Sequence, residues 1–547
     1  MKPPGHAGRQ LAWPLLGPGS GTRRALCTQP QCRPHPRPHP RAALYHTSPP
    51  LRSYEPGDVP RQTRSPTAPK PHLDMRHIRD NPELYAENCR ERNYPAAAAY
   101  PARINDLFAQ WHDQRRQARD LRVQANLLRR QIANPGSLDT DESPEALRIR
   151  GLTPDERLAE GRTIKAALAS IEAAETRLTA DMDALALALP NLTSPLTPRG
   201  STPRLLTTIH DDPSPSPDPS PGRSHVDIGT ELQILDFPAA RKTSGWGWYY
   251  LVSAAAELEQ ALILYALARA RAAGFTQVSP PSLVYADIAS ACGFQPRDVD
   301  GLTQIYPIAQ PPSDRSPPLV LAGTAEIPLA AMLADTTLPD PAALPLRRVA
   351  VSRCYRAEAG ARGVDTKGLY RVHEFTKVEL FTWTAPTDAA VTEAFDDVVD
   401  LQTEILWSLG LRCRVLEMPS TDLGAAASRK VDIEAYFPSR RERDGGWGEV
   451  TSASICTDYQ TRRLGTRMAR GDGGGEGLMF PWTVNGTALA VPRVLAAILE
   501  NGWDERERTV KVPEVLRPWM GGREKIGPAA GGGGIGRGGV SGWGGDE

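Results

Sequence analysis

No acidic residue precedes Glu55, although Lys2, Arg9, Arg23, Arg24, Arg33, Arg37, Arg41 and Arg52 all do. An Arg- and Pro-rich opening without acids resembles an organelle import presequence; a plain basic tail is the alternative. Cysteine is scarce. The chain of 547 residues has 7, dispersed and without a CxxC pair, which excludes a disulfide scaffold and a zinc ribbon. Long apolar runs are missing too. The best one, ALILYALARARAAGF, is interrupted by Arg269 and Arg271, so no hydropathic span crosses a membrane. Net charge is also absent, with 64 basic and 64 acidic residues. That excludes a globally basic nucleic-acid binder and leaves local basic faces open. A soluble protein of a reducing compartment, long enough for more than one domain, is expected.

What is present changes texture along the chain. Residues 1–72 read as presequence and unstructured segment, and residues 73–198 as a helical domain. Asp80 or Asn81, followed by Pro82, marks a helix start. Ile104, Leu107, Trp111, Gln114, Ala118, Leu121, Ala125, Leu128 and Ile132 then alternate spacings of three and four. A second run, Ile164, Leu168, Ile171, Glu175, Leu178, Met182, Leu185 and Leu189, does the same. Two such seams around a Pro/Gly-bearing loop predict an antiparallel coiled-coil hairpin. Its first helix, from Arg103 to Ala133, would be roughly 45 Å long at the helical rise. Off the seam lie Arg115, Arg116, Arg119, Arg122, Arg129 and Arg130. They form either an ordinary solvated face or, on a protruding arm, a surface for a phosphate backbone. Residues 199–224, with DDPSPSPDPSPGRS, read as an extended linker. Residues 225–520 mix helices and strands, and the Gly-rich end, 521–547, reads as a disordered tail.

The densest chemistry is RCYRAEAGARGVDTKGLYRVHEFTKVELF, residues 353–381. A strand to Glu358, a glycine-bearing loop and a returning strand from Tyr370 to Trp383 is the economical reading. Alternation puts Arg356 and Glu358 on one face of the first strand, and Phe375, Lys377 and Glu379 on one face of the second. Arginine forks suit phosphate oxygens, an aromatic ring suits a base, and a carboxylate suits an ammonium. These parts fit ATP plus an amino acid, and a cross-strand salt-bridge ladder is the alternative. His373 reads as a strand histidine satisfied by a neighbour, and Trp246 and Trp248 as packing.

This segment resembles motif 2 of the class II aminoacyl-tRNA synthetases, in the form typical of seryl-tRNA synthetases. The likeness runs from about residue 73 to 520. LDMRHIRDNPELYAEN is similar to that family's opening, GFTQVSPPSLV to motif 1, GTAEIPL to the serine-binding segment, and VNGTALAVPRVLAAILEN to motif 3. The resemblance implies an α+β fold, an antiparallel sheet flanked by helices behind the hairpin. It implies serine contacts from Thr324, Ala325, Glu326, Glu379 and Thr487. It implies ATP contacts from Arg356, Ala357, Glu358, Val372, Phe375, Glu449, Val450, Thr451, Ser452 and Arg493. Mg²⁺ would be held at Glu449 and Ser452, and Arg356, Glu449 and Arg493 would carry the catalysis. Expected partners are L-serine, ATP, tRNA(Ser) and a second copy of the chain, in the mitochondrial matrix or alternatively the cytoplasm. An inactive, RNA-binding paralogue is the competing reading. Ile455 departs from the family's common Asn and is expected near the substrate pocket.

Overall fold

The computed structural model describes residues 68–211, 222–294, 304–311, 316–358, 368–442, 444–469 and 478–528. The segment through residue 67, acid-free as far as Tyr54, and the tail from 529 lie outside them, so the presequence reading does too.

Two long helices form the hairpin, α1 (Tyr100–Ala133) and α2 (Pro154–Leu187), each of 34 residues. Thr153 starts α2 with a reciprocal capping box to Glu156, which satisfies two otherwise orphaned backbone donors. Ile104, Leu107, Ala118 and Leu128 of α1, and Ile164, Ile171, Met182 and Leu185 of α2, are buried as the seams predict. Ile132 is the exception, 47% exposed. Gln131 is buried in its place and donates to Pro135 O. A strict 3.5-residue seam drifts around a 3.6-residue helix, and here the drift is complete by the tip. The loop between the seams is not all loop. Pro144–Gly151 forms a helix capped by Ser143, and its Ala146 and Ile149 pack under Leu127 and Leu128.

The body is built on eight strands: β1 (Arg204–Ile209), β2 (Thr276–Val278), β3 (Leu346–Tyr355), β4 (Glu374–Thr384), β5 (Cys413–Glu417), β6 (Arg429–Tyr436), β7 (Trp447–Thr457) and β8 (Trp482–Ala490). Their order is β1-β5-β6-β7-β8-β4-β3-β2. Every pairing is antiparallel except β2 with β3. Helices α3 (His225–Glu231), α4 (Ala254–Ala272), α5 (Glu326–Ala331), α6 (Asp388–Ser408), α7 (Tyr459–Leu464) and α8 (Val491–Asn501) complete the frame. Val378 and Leu380 of β4 join the main core with residues of α4, α6 and α8. The odd-numbered Phe375, Lys377 and Glu379 turn to the opposite face.

Several boundaries differ from expectation. β1 occupies part of the segment read as linker, pairing with β5 at the sheet edge. Its exposed Leu205 and Leu206 give no alternation to read. WYYLV contributes only a two-residue strand, Tyr250–Leu251. The chain stays ordered past 520, where Lys525–Ile526 pairs with Val510 and Lys511. The strand before the basic loop ends at Tyr355, so Arg356 and Glu358 follow it rather than belong to it.

The arm is joined to the body through buried polar groups. Arg92 is fully buried and donates to Asn191 O and Gly424 O. Asn191 Nδ2 donates to Ala426 O and Cys456 O, each at 2.9 Å. Arg463 reaches Leu189 O at 3.2 Å. Replacing Arg92 with Met removes the charged donor from both carbonyls and leaves Asn191 O to Asn88 Nδ2 and Gly424 O to the Ala427 amide. Arg92→Met is expected to cost about 3 kcal/mol, because two buried hydrogen bonds are lost and bonds to charged donors are worth more than neutral ones. Thermal unfolding followed by circular dichroism checks this, and an unchanged midpoint would mean that water replaces the guanidinium.

Candidate functional site

The pocket is centred on β4. Glu379, 1% exposed, sits mid-strand between Ala350 of β3 and Thr487 of β8. Its Oε2 receives Lys377 Nζ at 2.7 Å and the Thr487 hydroxyl at 3.4 Å. Its Oε1 is buried and has no hydrogen-bond partner among the described residues. A second carboxylate, Glu326, opens α5 and accepts from Gln460 Nε2 at 2.6 Å. Gln460 is oriented by the Thr483 hydroxyl, 2.7 Å away. Thr324 Oγ1 accepts from the Glu326 amide at 3.3 Å, and Ala325 is the fully buried residue between them.

Burial and the neighbouring Glu379 charge push the Glu326 carboxyl up to about 7, against Lys377, Gln460 and Arg356. Burial raises Glu379 as well, opposed by Lys377 and Arg356. Two carboxylates in one dry pocket, one with an unpaired oxygen, form a site for a group that brings protons and positive charge.

Beside it opens a cleft lined by Arg356, Glu358, Val372, Phe375, Glu449, Ser452 and Arg493 among others. Arg356 lies over the Phe375 ring at 5.1 Å. Its backbone is braced on both sides by His373. Arg356 N donates to His373 O at 2.9 Å, and His373 Nδ1 lies 3.0 Å from Arg356 O. His373 is itself held by the Tyr306 hydroxyl at 2.8 Å and packs against Trp246 and Trp248. The histidine and both tryptophans are thus support for Arg356. Glu358, at φ 48°, faces Arg371 at 3.5 Å. Ala357 ties the turn down by donating its amide to Gln304 O at 2.9 Å.

Glu449 and Ser452 are three apart, which on a regular strand would put them on opposite faces. Register corrects this. Glu449 lies opposite Glu434 and Thr451 opposite Ile433, so Val450 is an extra residue. The bulge brings Glu449 and Ser452 to the same side and turns Val450 into the core, fully buried. Expected among the ATP contacts, the Val450 side chain therefore lines no part of the cavity. Thr451 donates its hydroxyl to Thr487 O. Ile455, expected near the substrate, is also in the core.

Arg493 Nη1 donates to Glu449 Oε2 and O, both at 3.0 Å. Burial works to raise the Glu449 carboxyl, and Arg493 and Lys430 outweigh it, so the group lies well below the usual carboxylate range. An ionised, partly exposed carboxylate beside a serine hydroxyl fits a hard cation that keeps most of its oxygens from substrate and water. No cluster of three or more His, Cys, Asp or Glu that could hold a metal by itself occurs among the described residues.

Lys377 and Gln460 complete the pocket, and neither was given a role by the motifs. Lys377 was legible, since it alternates with Phe375 and Glu379. Gln460 was not, because α7 delivers it from a remote segment.

Residues 73–193 match the family model of the seryl-tRNA synthetase N-terminal domain. Residues 311–502 match that of the class II tRNA synthetase core domain for G, H, P, S and T. A mitochondrial serine–tRNA ligase of Saccharomyces cerevisiae is 46% identical over 305 residues, 56% of this chain and 65% of that one, just under two thirds of its length. A serine–tRNA ligase of Rhodopirellula baltica is 38% identical over 449 residues, 82% of this chain and 98% of that one. The crystal structure of seryl-tRNA synthetase from Pyrococcus horikoshii complexed with ATP superposes with a TM-score of 0.70 at 30% identity, over 84% of this chain and all of that one. The chain belongs to the seryl-tRNA synthetase family, the ATP-dependent ligases that join serine to tRNA.

Proposed function

We propose that this chain activates L-serine with ATP and transfers it to tRNA(Ser) for mitochondrial translation. The observation that carries the reading is the unpaired Glu379 Oε1, buried behind Lys377 and Thr487, which themselves line the arginine-bearing cavity. Glu379 and Glu326 receive the serine ammonium, and Thr487 with Glu379 holds its hydroxyl. A site built to bond a hydroxyl rejects alanine because its polar groups would be left unpaired. The serine carboxylate is ionised at neutral pH, so its attack on the α-phosphorus needs no general base. Carbon–oxygen–phosphorus linkage forms as the bond to pyrophosphate breaks. Arg356 neutralises the α-phosphate, Phe375 stacks on adenine with Val372 alongside, Glu358 meets the base edge, and Arg493 meets the γ-phosphate. Mg²⁺ would be held by Glu449 and Ser452 and supplies charge neutralisation to the leaving pyrophosphate. A terminal ribose hydroxyl of tRNA then attacks the adenylate carbonyl and releases AMP. An inactive RNA-binding relative would have no need of a complete, desolvated carboxylate pair with its own lysine.

The hairpin is proposed to hold tRNA by its backbone. Arg115, Arg116, Arg119, Arg122, Arg129 and Arg130 are all exposed. Arg116 pairs with Asp113 at 2.5 Å and Arg122 reaches Glu172 at 3.7 Å; such exposed pairs are weak and exchange readily for phosphate. A homodimer is proposed, with motif 1 at its interface. The exposed Leu283 and Tyr285 in that region support it. Import into mitochondria is supported by the acid-free N-terminal segment and by the mitochondrial yeast relative. No helix among the described residues is long and apolar enough to cross a membrane.

Serine-dependent ATP–pyrophosphate exchange tests the activity. Arg356→Ala is expected to lower exchange by at least ~10²-fold, the scale of a lost transition-state donor, with the dimer intact. Replacing Arg115, Arg116, Arg119 and Arg122 together with Ser should spare exchange while weakening tRNA charging and flattening its salt dependence. Equal loss in both assays would sink the arm assignment.

A pH series reads the carboxylates. Protonation removes the negative charge that draws the ammonium, so KM for serine should rise as pH falls through about 7, the Glu326 value. Glu326→Gln should bind serine weakly with that limb flattened, and a wild-type KM flat between pH 6 and 8 would refute the ionised pair. Localisation is separable: a reporter carrying residues 1–60 should enter mitochondria, and diffuse cytosolic signal would count against import.

A further inference from the structure

We infer that His225 and Glu500 are positioning residues for ATP, acting on the backbone of Leu369 and Tyr370; this rests on the ATP-dependent reading above. Both side chains are buried, His225 at 7% exposure and Glu500 at 6%. His225 opens α3, and Glu500 lies near the end of α8. His225 Nδ1 is 2.7 Å from Glu500 Oε1, which also accepts the His225 amide at 3.1 Å. The other carboxylate oxygen accepts from Ser439 N at 3.2 Å. On the far side of the ring, Leu369 N donates to His225 Nε2 at 3.0 Å.

The partners fix the tautomer. A backbone N–H only donates, so Nε2 must be the bare nitrogen and Nδ1 must carry the proton to Glu500. Histidine is used here for a donor on one edge and an acceptor on the other.

What it holds lines the nucleotide cavity. Leu369 and Tyr370 both face that space. Tyr370 O accepts from Arg493 Nε at 3.1 Å, and the Tyr370 ring lies under the Arg493 guanidinium at 4.5 Å. Arg493 and Glu500 are on the same helix. One end of α8 grips Tyr370 directly, and the other grips Leu369 through His225. Two consecutive residues are thus clamped from both ends of a rigid element, and Arg493 is braced against them. The fit leaves no slack. Gly368 sits at φ 87°, and a Cβ there would lie 2.3 Å from His225 Nε2.

A rival role, simply fastening α3 to α8, makes a different prediction. Asn reproduces the Nδ1 donor of histidine and keeps the Glu500 contact, while Gln places an oxygen near Nε2 and keeps the Leu369 contact. His225→Asn is expected to raise KM for ATP in the exchange assay about tenfold, and His225→Gln no more than about threefold, for one buried hydrogen bond lost or kept. KM for serine should stay within about twofold in both, since the serine groups do not touch the clamp. Gly368→Ala should reproduce the ATP-specific rise from the backbone side, because its Cβ would push Leu369 and the His225 ring apart while leaving both side chains of the pair chemically intact. Equal ATP effects of Asn and Gln, a parallel rise in KM for serine, or an unaffected Gly368→Ala enzyme would each overturn the inference. Calorimetric ATP binding to the same proteins keeps the test independent of turnover. Absence of exchange in wild type would refute the functional reading, while the Asn–Gln contrast in ATP affinity would still decide the clamp.

Discussion

Two carboxylates held out of water at the centre of a sheet set the terms for this fold. An isolated buried carboxylate would neutralise itself rather than stay charged. Glu379 is kept company by Lys377 and the Thr487 hydroxyl, and Glu326 by Gln460. The company is incomplete, because Glu379 Oε1 has no partner. The sign of the linkage follows from burial. Glu326 titrates higher folded than unfolded, so its stabilising contribution is full below the ordinary carboxylate range and lost as pH rises toward about 7. At neutral pH the ionised pocket is therefore a strained part of the fold, and a bound cation would relieve that strain. Binding energy and folding energy meet in the same two side chains.

The sheet solves a second problem by breaking its own period. A residue's neighbours one and three positions away face the other side of a regular strand. Yet Glu449 and Ser452 share a cavity, and so do Thr487 and Ala490, because Leu489 already lies opposite Val378. Each case has one extra residue, Val450 or Ala488, both buried in the core. The bulges supply the site's polar groups without taking apolar groups from the core.

These irregularities mark where the sequence stops being readable. The heptad seams of α1 and α2 announce themselves over 34 residues each, because periodicity accumulates with length. Phe375, Lys377 and Glu379 were legible as one face for the same reason, on a strand long enough to show alternation. That the Val450 side chain turns into the core was not legible, because a motif gives positions and not register. Leu205 and Leu206 of β1 were lost in a linker because an edge strand exposed on both faces has no pattern to display. Gln460 and the His225–Glu500 pair depend on contacts between segments far apart in sequence, and local pattern carries no information about those.

The short helix α7 shows how far such contacts reach. Its second residue, Gln460, donates into Glu326 of the carboxylate pocket. Its fifth, Arg463, is buried over the Tyr459 ring at 3.4 Å and donates to Leu187 O and Leu189 O, where α2 ends. Burial lowers the affinity of that guanidinium for its proton, and the carbonyls left open by the end of a helix are natural partners for it. Arg92 and Asn191 anchor the same junction from the arm's side. The root of the arm and the wall of the pocket are therefore fixed to one six-residue element. Whatever the arm holds is referenced to the pocket through buried hydrogen bonds, which transmit position far better than a solvated linker does. Placing a long substrate by its distant part and reacting at its end requires that kind of joint, because orientation lost anywhere between the two is lost at the reacting atom.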